Sequence, residues 1–291
     1  MKILVIGAKG QLGNEIRKKS RLSDDEFVFA DIQGDGEGVA QFDITDPQQV
    51  QQFVTADTDV IINCAAYNDV EKAEDDEDAA WKVNAYAVGL LADAAKRTDA
   101  LLIHFSTDYV FDGKANTPYT EEDAPNPLSA YGRSKLAGEK AVQESGCRYM
   151  IFRTSWLYSL IGRNFFKTIA EKCADSPTLK VVIDQTGTPT NAEDLAWFVM
   201  HIIENGMLDK TGLYHYSNEG VASWYDFAAA INRELGYTCS VEPCRTSEFP
   251  RKALRPAYSV MDKRKLKDTF GVEVPHWHKS LEVFVLGYLF V

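Results

Sequence analysis

The sequence predicts an α/β fold: a doubly wound parallel sheet with a smaller α/β region interleaved after it. Three observations carry this. Short apolar runs alternate with helical patterns through the first half. Those runs are continuously apolar, as strands covered on both faces are. A glycine-spaced turn, GAKGQLG, joins the first run to the first helix.

The elements follow in order. KILVIG (2–7) is the first strand, with a helix over about 11–19. FVFAD (27–31) is the second strand. DPQQVQQFV (46–54) reads as a helix with Asp46 as N-cap and Pro47 at its first position. DVIINCAA (59–66) is the third strand, and one helix runs through AAWKVNAYAVGLLADAAKR (79–97). ALLIHFST (100–107) is the fourth strand. After the loop APNPL a helix runs over about 130–145, and YMIFRTSW (149–156) is the fifth strand. The rhythm then weakens. TLKVVIDQTGTPT (178–190) is a strand and turn, and NAEDLAWFVMHIIENG (191–206) a helix closed by Gly206. GLYHYSN (212–218) is a strand, and SWYDFAAAINRELG (223–236) a helix capped by Ser223. The chain thus divides into 1–156, to which some later segments return, and 157–291, without a linker at the boundary.

Composition sets the bounds. A chain of 291 residues suits one large domain or two unequal ones. The net charge of −12 argues against non-specific binding to nucleic acid or an anionic membrane. A nest of backbone amides can still hold a small anion. Cys64, Cys147, Cys173, Cys239 and Cys244 form no CxxC and read as reduced thiols, which suits a cytoplasmic protein. MKILVIGAKG is too short in apolar residues for a signal-peptide core, and no apolar stretch is long enough to span a membrane. The tail LEVFVLGYLFV reads as a packed helix.

The chemistry-bearing motifs lie at strand ends. Gly7, Gly10 and Gly13 follow the first strand and open the first helix. Glycines there permit a tight turn and close approach to a pyrophosphate, and the helix N-terminus supplies donors. This makes the fold Rossmann-type and 1–156 an NAD(P)-binding domain, with 157–291 mainly substrate-binding. Asp31 ends the second strand, where a carboxylate bonds the ribose diol of NADH and repels the 2′-phosphate of NADPH. Lys9 pulls the other way, so the cofactor is NADPH or NADH. Ser106 or Thr107 lies at the end of the fourth strand, where ligands bind in open α/β sheets; a turn hydroxyl is the plain alternative. Tyr131 and Lys135 share one helix face at i and i+4. An ammonium beside the phenol lowers its pKa and suits it to general acid–base work. Alone, such a pair is common on helix surfaces. In this order, after a glycine loop and a Ser-Thr strand end, it is specific.

Together, GAKGQLGNE, VIINCAAYNDVEKAE, STDYVFDG, YGRSKLAGE, FRTSWLY, DQTGTPT, GLYHYSNEG and RPAYSVMD resemble the extended short-chain dehydrogenase/reductase family over nearly the whole chain. The narrower stretches RTSWLY and DQTGTPT resemble its reductases of a dTDP-linked 4-keto-6-deoxyhexose. The resemblance implies Thr107, Tyr131 and Lys135 as catalytic residues. It implies cofactor contacts at Gly10, Gln11, Leu12, Asp31, Asp43, Ile44, Ala65 and Ala66, and sugar-side positions at Asp108 and Trp156. It further implies hydride transfer to the sugar C4 keto group, with dTDP-L-rhamnose as product for polysaccharide synthesis. Arg255 is a candidate for the substrate diphosphate, because a guanidinium matches paired phosphate oxygens; a surface ion pair is the alternative. Glu15 and Glu193 fall where some members hold Mg²⁺ at a homodimer contact, although their spacing reads as surface carboxylates.

Other features read plainly. The six acids of EKAEDDEDAA (71–80) suit a solvated helix start. His104 reads as a core histidine, and Trp197 and Trp224 as core. Rival functions are another nucleotide-sugar reductase or epimerase, and a non-catalytic regulatory subunit of a methionine adenosyltransferase, a role some relatives of these reductases serve. Dehydratases of the family carry Asp-Glu after the active-site Thr; here Asp108 and Tyr109 follow Thr107.

Overall fold

The computed structural model describes residues 1–36 and 38–290. The chain begins β1 (Lys2–Ile6), α1 (Gln11–Lys19), β2 (Glu26–Asp31), β3 (Val39–Gln41), α2 (Pro47–Phe53) and β4 (Val60–Asn63). It continues through α3 (Val70–Ala73), α4 (Glu77–Trp81), a π-helical turn (Lys82–Tyr86), α5 (Ala87–Thr98), β5 (Leu101–Thr107), α6 (Ala130–Ser145) and β6 (Arg148–Thr154). Then come β7 (Leu157–Tyr158), α7 (Phe165–Asp175), β8 (Thr178–Val182), β9 (Thr186–Gly187), β10 (Thr190–Asn191), α8 (Ala192–Glu204) and β11 (Gly212–His215). The last are β12 (Ala222–Ser223), α9 (Trp224–Glu234), β13 (Ser240–Cys244), α10 (Arg264–Phe270) and α11 (Trp277–Leu289).

Among the described residues, seven strands form the main sheet in the order β11-β6-β5-β4-β1-β2-β3. Every neighbouring pair is parallel. The strands are apolar throughout because both faces are covered. Ile3 and Val5 pack on one side with α1, α8 and α10, while Leu4 and Ile6 pack on the other with α2 and α5. The order reverses between β1 and β4, so a crevice opens at their carboxyl ends. A second core, built on α7, α9 and α11 with Tyr158, Phe166, Phe227 and Trp277, forms the lobe beyond that crevice.

Several expectations need correction. The single helix over 79–97 is three pieces, broken by the π turn. β3, an edge strand of three residues, has no apolar run to betray it. TLKVVIDQTGTPT splits into β8, β9 and β10, each pairing with a different partner. The acid run is not one helix start but α3, a break and α4. Its Glu71 and Asp75 also bind the late segment at Arg255 and Lys252. The tail forms α11 up to Leu289; its last residue, Val291, lies outside the described ones. No helix among the described residues is long and apolar enough to cross a membrane.

Candidate active site

The glycine turn forms a cradle that a Cβ would fill. Gly7 has φ +75°, and a Cβ there would lie 2.7 Å from the Ala65 amide nitrogen. At Gly13 it would lie 2.2 Å from the Gly7 carbonyl oxygen. Backbone surrounds both positions, so no side chain can simply turn aside. Gly10 caps α1 and leaves the helix's first amides free of any side-chain partner. This donor set and bare backbone fit a dinucleotide pyrophosphate. Asp31 closes the far side. Its Oδ2 accepts from the Lys9 amide at 3.0 Å and its Oδ1 from the Gln33 amide at 3.2 Å. Asp43 accepts from both the amide and the hydroxyl of Thr45 at 2.8 Å. Ala65 and Ala66 follow β4 beside Gly7. Leu12 and Ile44 are buried in the core, which leaves only their backbone for a cofactor. Gln11 reaches across the crevice: its Oε1 accepts from Asn164 at 3.0 Å and Ser159 at 3.2 Å.

Thr107, Tyr131 and Lys135 converge at the end of β5. Ser129 caps α6 by accepting from the Gly132 amide. Gly132 lets the helix start lie against the Tyr109 carbonyl, which a Cβ would approach to 2.3 Å. Deeper in α6, Gly138 admits the Asn84 carbonyl of the π turn, and Asn84 Nδ2 donates to Ser134 at 3.0 Å. The π turn thus grips the helix that carries Tyr131 and Lys135. Lys135 is buried, and its Nζ donates to the Phe105 carbonyl at 2.6 Å. The Thr107 hydroxyl lies close enough to Tyr131 to act on its phenol. It also accepts from the Tyr109 amide at 3.2 Å and donates to Asp108 at 3.1 Å, so the turn-hydroxyl role and the site role coexist.

The electrostatics differ from the expectation of a depressed tyrosine. Burial raises the Tyr131 pKa, and the nearby Thr107 hydroxyl opposes that only in part. Tyr131 therefore holds its proton at neutral pH. Burial lowers Lys135 to about 8, with Glu139 and Cys64 pulling it back up. Burial also raises Asp108 to about 6, against the hydroxyls of Ser259 and Thr107.

A cavity of about 600 Å³ opens between residues 68–71, α7, β8 and the segment carrying Phe249, Arg251 and Arg255. Arg163, Lys172, Lys180, Arg251 and Arg255 line it with two carboxylates, Asp69 and Glu71, a net basic lining in an acidic protein. Arg255 pairs with Glu71 at 3.1 Å, yet its buried Nε has no partner. Its charge reaches Tyr109, which packs edge-on to Tyr131 at 5.8 Å. Trp156 holds φ +48° and stacks on Trp224 at 3.5 Å. Trp224 itself lines the cavity.

Comparison with known proteins decides the family. A model described as the RmlD substrate binding domain matches residues 1–289. The chain belongs to the RmlD substrate-binding-domain family. It is 37% identical to a dTDP-4-dehydrorhamnose reductase of Burkholderia thailandensis, covering 98% of both chains. It resembles the crystal structure of a dTDP-4-dehydrorhamnose reductase from Clostridium acetobutylicum at 42% identity and TM-score 0.93, covering 99% and 100% of the two chains. The Bacillus anthracis enzyme, solved in complex with NADP, matches at 35% identity and TM-score 0.89, covering 98% and 99%.

Glu15 and Glu193, the carboxylates singled out for Mg²⁺ at a homodimer contact, each pair with a lysine of this same chain. Glu15 is buried and pairs with Lys18 at 2.8 Å. Glu193 pairs with Lys19 at 3.1 Å, so an ammonium already joins α1 to α8. His104 is buried as expected; its Nδ1 lies 3.2 Å from Asn63, and burial holds it neutral. Trp197 is half exposed, not core. Sequence reasoning passed over Asn84, Glu71 and Glu139. Glu139 alone left a signal, one helical turn beyond Lys135 on the same face.

Proposed function

We propose that the chain reduces the C4 keto group of dTDP-4-dehydro-6-deoxy-L-mannose (dTDP-4-dehydrorhamnose) to dTDP-L-rhamnose, using NADPH or NADH. The observation that carries this is the meeting of Thr107, Tyr131 and Lys135 beside a glycine cradle and a basic cleft. A bound reduced nicotinamide supplies the hydride. Tyr131 gives its proton to the C4 oxygen as that oxygen gains charge. Its raised pKa keeps the proton in place until then. Thr107 steadies the same oxygen by hydrogen bonding, where charge develops. Lys135, as an ammonium, stabilises the phenolate left behind and can hold the nicotinamide ribose. Asp108 and Trp156 face the sugar, and Arg255 exchanges Glu71 for the diphosphate. Every side chain the reading uses belongs to this one chain.

The test is loss of reduced-nicotinamide absorbance with this keto sugar. The wild type turns over, and Tyr131→Phe falls at least about 100-fold, the size of a positioned proton donor's contribution. Equal rates in the two would remove Tyr131 from the mechanism. A wild type inactive with both cofactors would redirect the reading to another keto sugar or to the regulatory-subunit role.

A further inference from the structure

Lys135 is the outer end of a buried chain of ionisable groups. Glu139, one turn further along α6, is buried, as are Arg153 at the end of β6 and His215 at the end of β11. Arg153 Nε donates to Glu139 Oε1 at 2.9 Å, and Nη2 to Oε2 at 2.7 Å. Arg153 Nη1 lies 3.5 Å from His215 Nε2, and His215 Nδ1 lies 3.2 Å from the Tyr119 carbonyl. Burial and the Arg153 charge hold His215 to about 3, so it is neutral. With its proton on Nδ1 it donates to Tyr119 and accepts from Arg153. Glu139, Arg153 and His215 thus each have a fixed hydrogen-bonding role.

Packing alone does not call for this arrangement. Burying an ion pair costs several kcal/mol per ion before the attraction repays it, and apolar residues of similar volume commonly serve as well. What the pair adds is a buried carboxylate one helical turn from Lys135, on the same face of α6. The other groups around Lys135 carry no negative charge. Cys64, after β4, is a thiol whose pKa burial raises. His104, on β5, is neutral. Tyr131 keeps its proton, and Phe105 offers a carbonyl. We propose that Glu139, fixed by Arg153, is a positioning residue that keeps Lys135 an ammonium at neutral pH and so sets the charge beside Tyr131. This rests on the reading of Tyr131 and Lys135 as the reacting pair. Arg153 has a second consequence. By occupying both Glu139 oxygens, it leaves the Lys135 ammonium to the Phe105 carbonyl instead of closing onto Glu139.

The experiment follows the Lys135 titration directly, by the ¹³Cε shift in lysine-labelled full-length protein, with the signal assigned by its loss in Lys135→Met. The pH profile of kcat/KM is recorded alongside. Activity that needs the ammonium falls as pH rises through the Lys135 pKa. In Glu139→Gln the midpoint and the alkaline limb both move down by about one pH unit or more, the usual effect of losing a close opposite charge. In Arg153→Met, which frees Glu139 toward the lysine, they move up. Opposite shifts are something a merely structural pair would not produce. If Glu139→Gln fails to fold because Arg153 is left uncompensated, Glu139→Met/Arg153→Met removes both charges together, and its midpoint also moves down. An unmoved midpoint in either folded variant, with activity falling evenly at every pH, overturns the proposal. Shifted midpoints without turnover of the keto sugar by the wild type uphold the charge coupling and overturn the reaction assigned above.

Discussion

Gly187→Ala is the sharpest test of how the substrate side is built. A Cβ at Gly187 would lie 2.8 Å from both Cε2 and Cζ2 of Trp156 and 2.9 Å from Ser259 Oγ. Real Cβ atoms do not come so close, so something must yield. The indole cannot retreat, because Trp224 is stacked on it at 3.5 Å with the planes 9° apart. Nor can the backbone easily turn, since Trp156 already sits at φ +48°, where a non-glycine residue is strained. Overpacking of this kind costs about 1–3 kcal/mol. At roughly 2–4 °C per kcal/mol, the melting temperature falls measurably. Displacing the indole also lowers kcat/KM for the keto sugar about tenfold, or about 1.4 kcal/mol. NADPH affinity, read by nicotinamide fluorescence, stays unchanged, because the glycine cradle is elsewhere. Gly89→Ala is the control. Its Cβ would meet only the Ala141 methyl, at an ordinary 3.7 Å, and within α5 the change should stabilise by up to about 1 kcal/mol. A Gly187→Ala protein with wild-type melting and wild-type kcat/KM would show that the indole has room, and the packing argument would fail.

Three further outcomes are expected. Arg255→Met raises KM for the dTDP sugar about tenfold or more with little change in NADPH affinity; an unchanged KM would leave Arg255 with only its Glu71 ion pair. Asp108 has a folded-state pKa near 6, above the unfolded value of about 3.9, so the native state binds its proton more tightly. Stability from this group is therefore greatest below about pH 4 and is lost as pH rises through about 6. Thermal melts of Asp108→Asn should lack that component, and parallel pH curves for the two proteins would refute it. Asp31→Ala removes a carboxylate pinned by two amides and should shift the ratio of kcat/KM toward NADPH by roughly tenfold, while an unchanged ratio would acquit Asp31.

What the sequence disclosed was local. GAKGQLG, the Ser-Thr strand end and the Tyr131–Lys135 spacing are short motifs, and a parallel strand buried on both faces advertises itself as an apolar run. What it concealed depends on distant partners. Glu71 meets Arg255, 184 residues away. Arg153 meets His215, 62 residues away. No periodicity marks either pair. The π turn was invisible because Asn84 and its neighbours suit an α-helix equally well; Asn84's hydrogen bonds to Tyr67 and Ser134 reveal what holds it. The tyrosine pKa was misjudged for the same reason. Sequence shows the nearby lysine but not the burial around the phenol, nor that the lysine's ammonium is turned to Phe105.

The place of β11 bears on how the molecule is made. Its partner in the sheet is β6, but α7, β8 and α8 are synthesised between them. The core beneath β1 also waits for Leu195 to Ile203 of α8 and for Leu266 and Phe270 of α10. A ribosome therefore releases the first half with one sheet edge open and one face covered only by α1, and α7 and β8 of the other lobe emerge before β11 closes the edge. The two lobes mature as one unit. A chain cut after β6 would be left with the edge of β6 and part of one apolar sheet face open to other chains, a route to aggregation instead of a separable module.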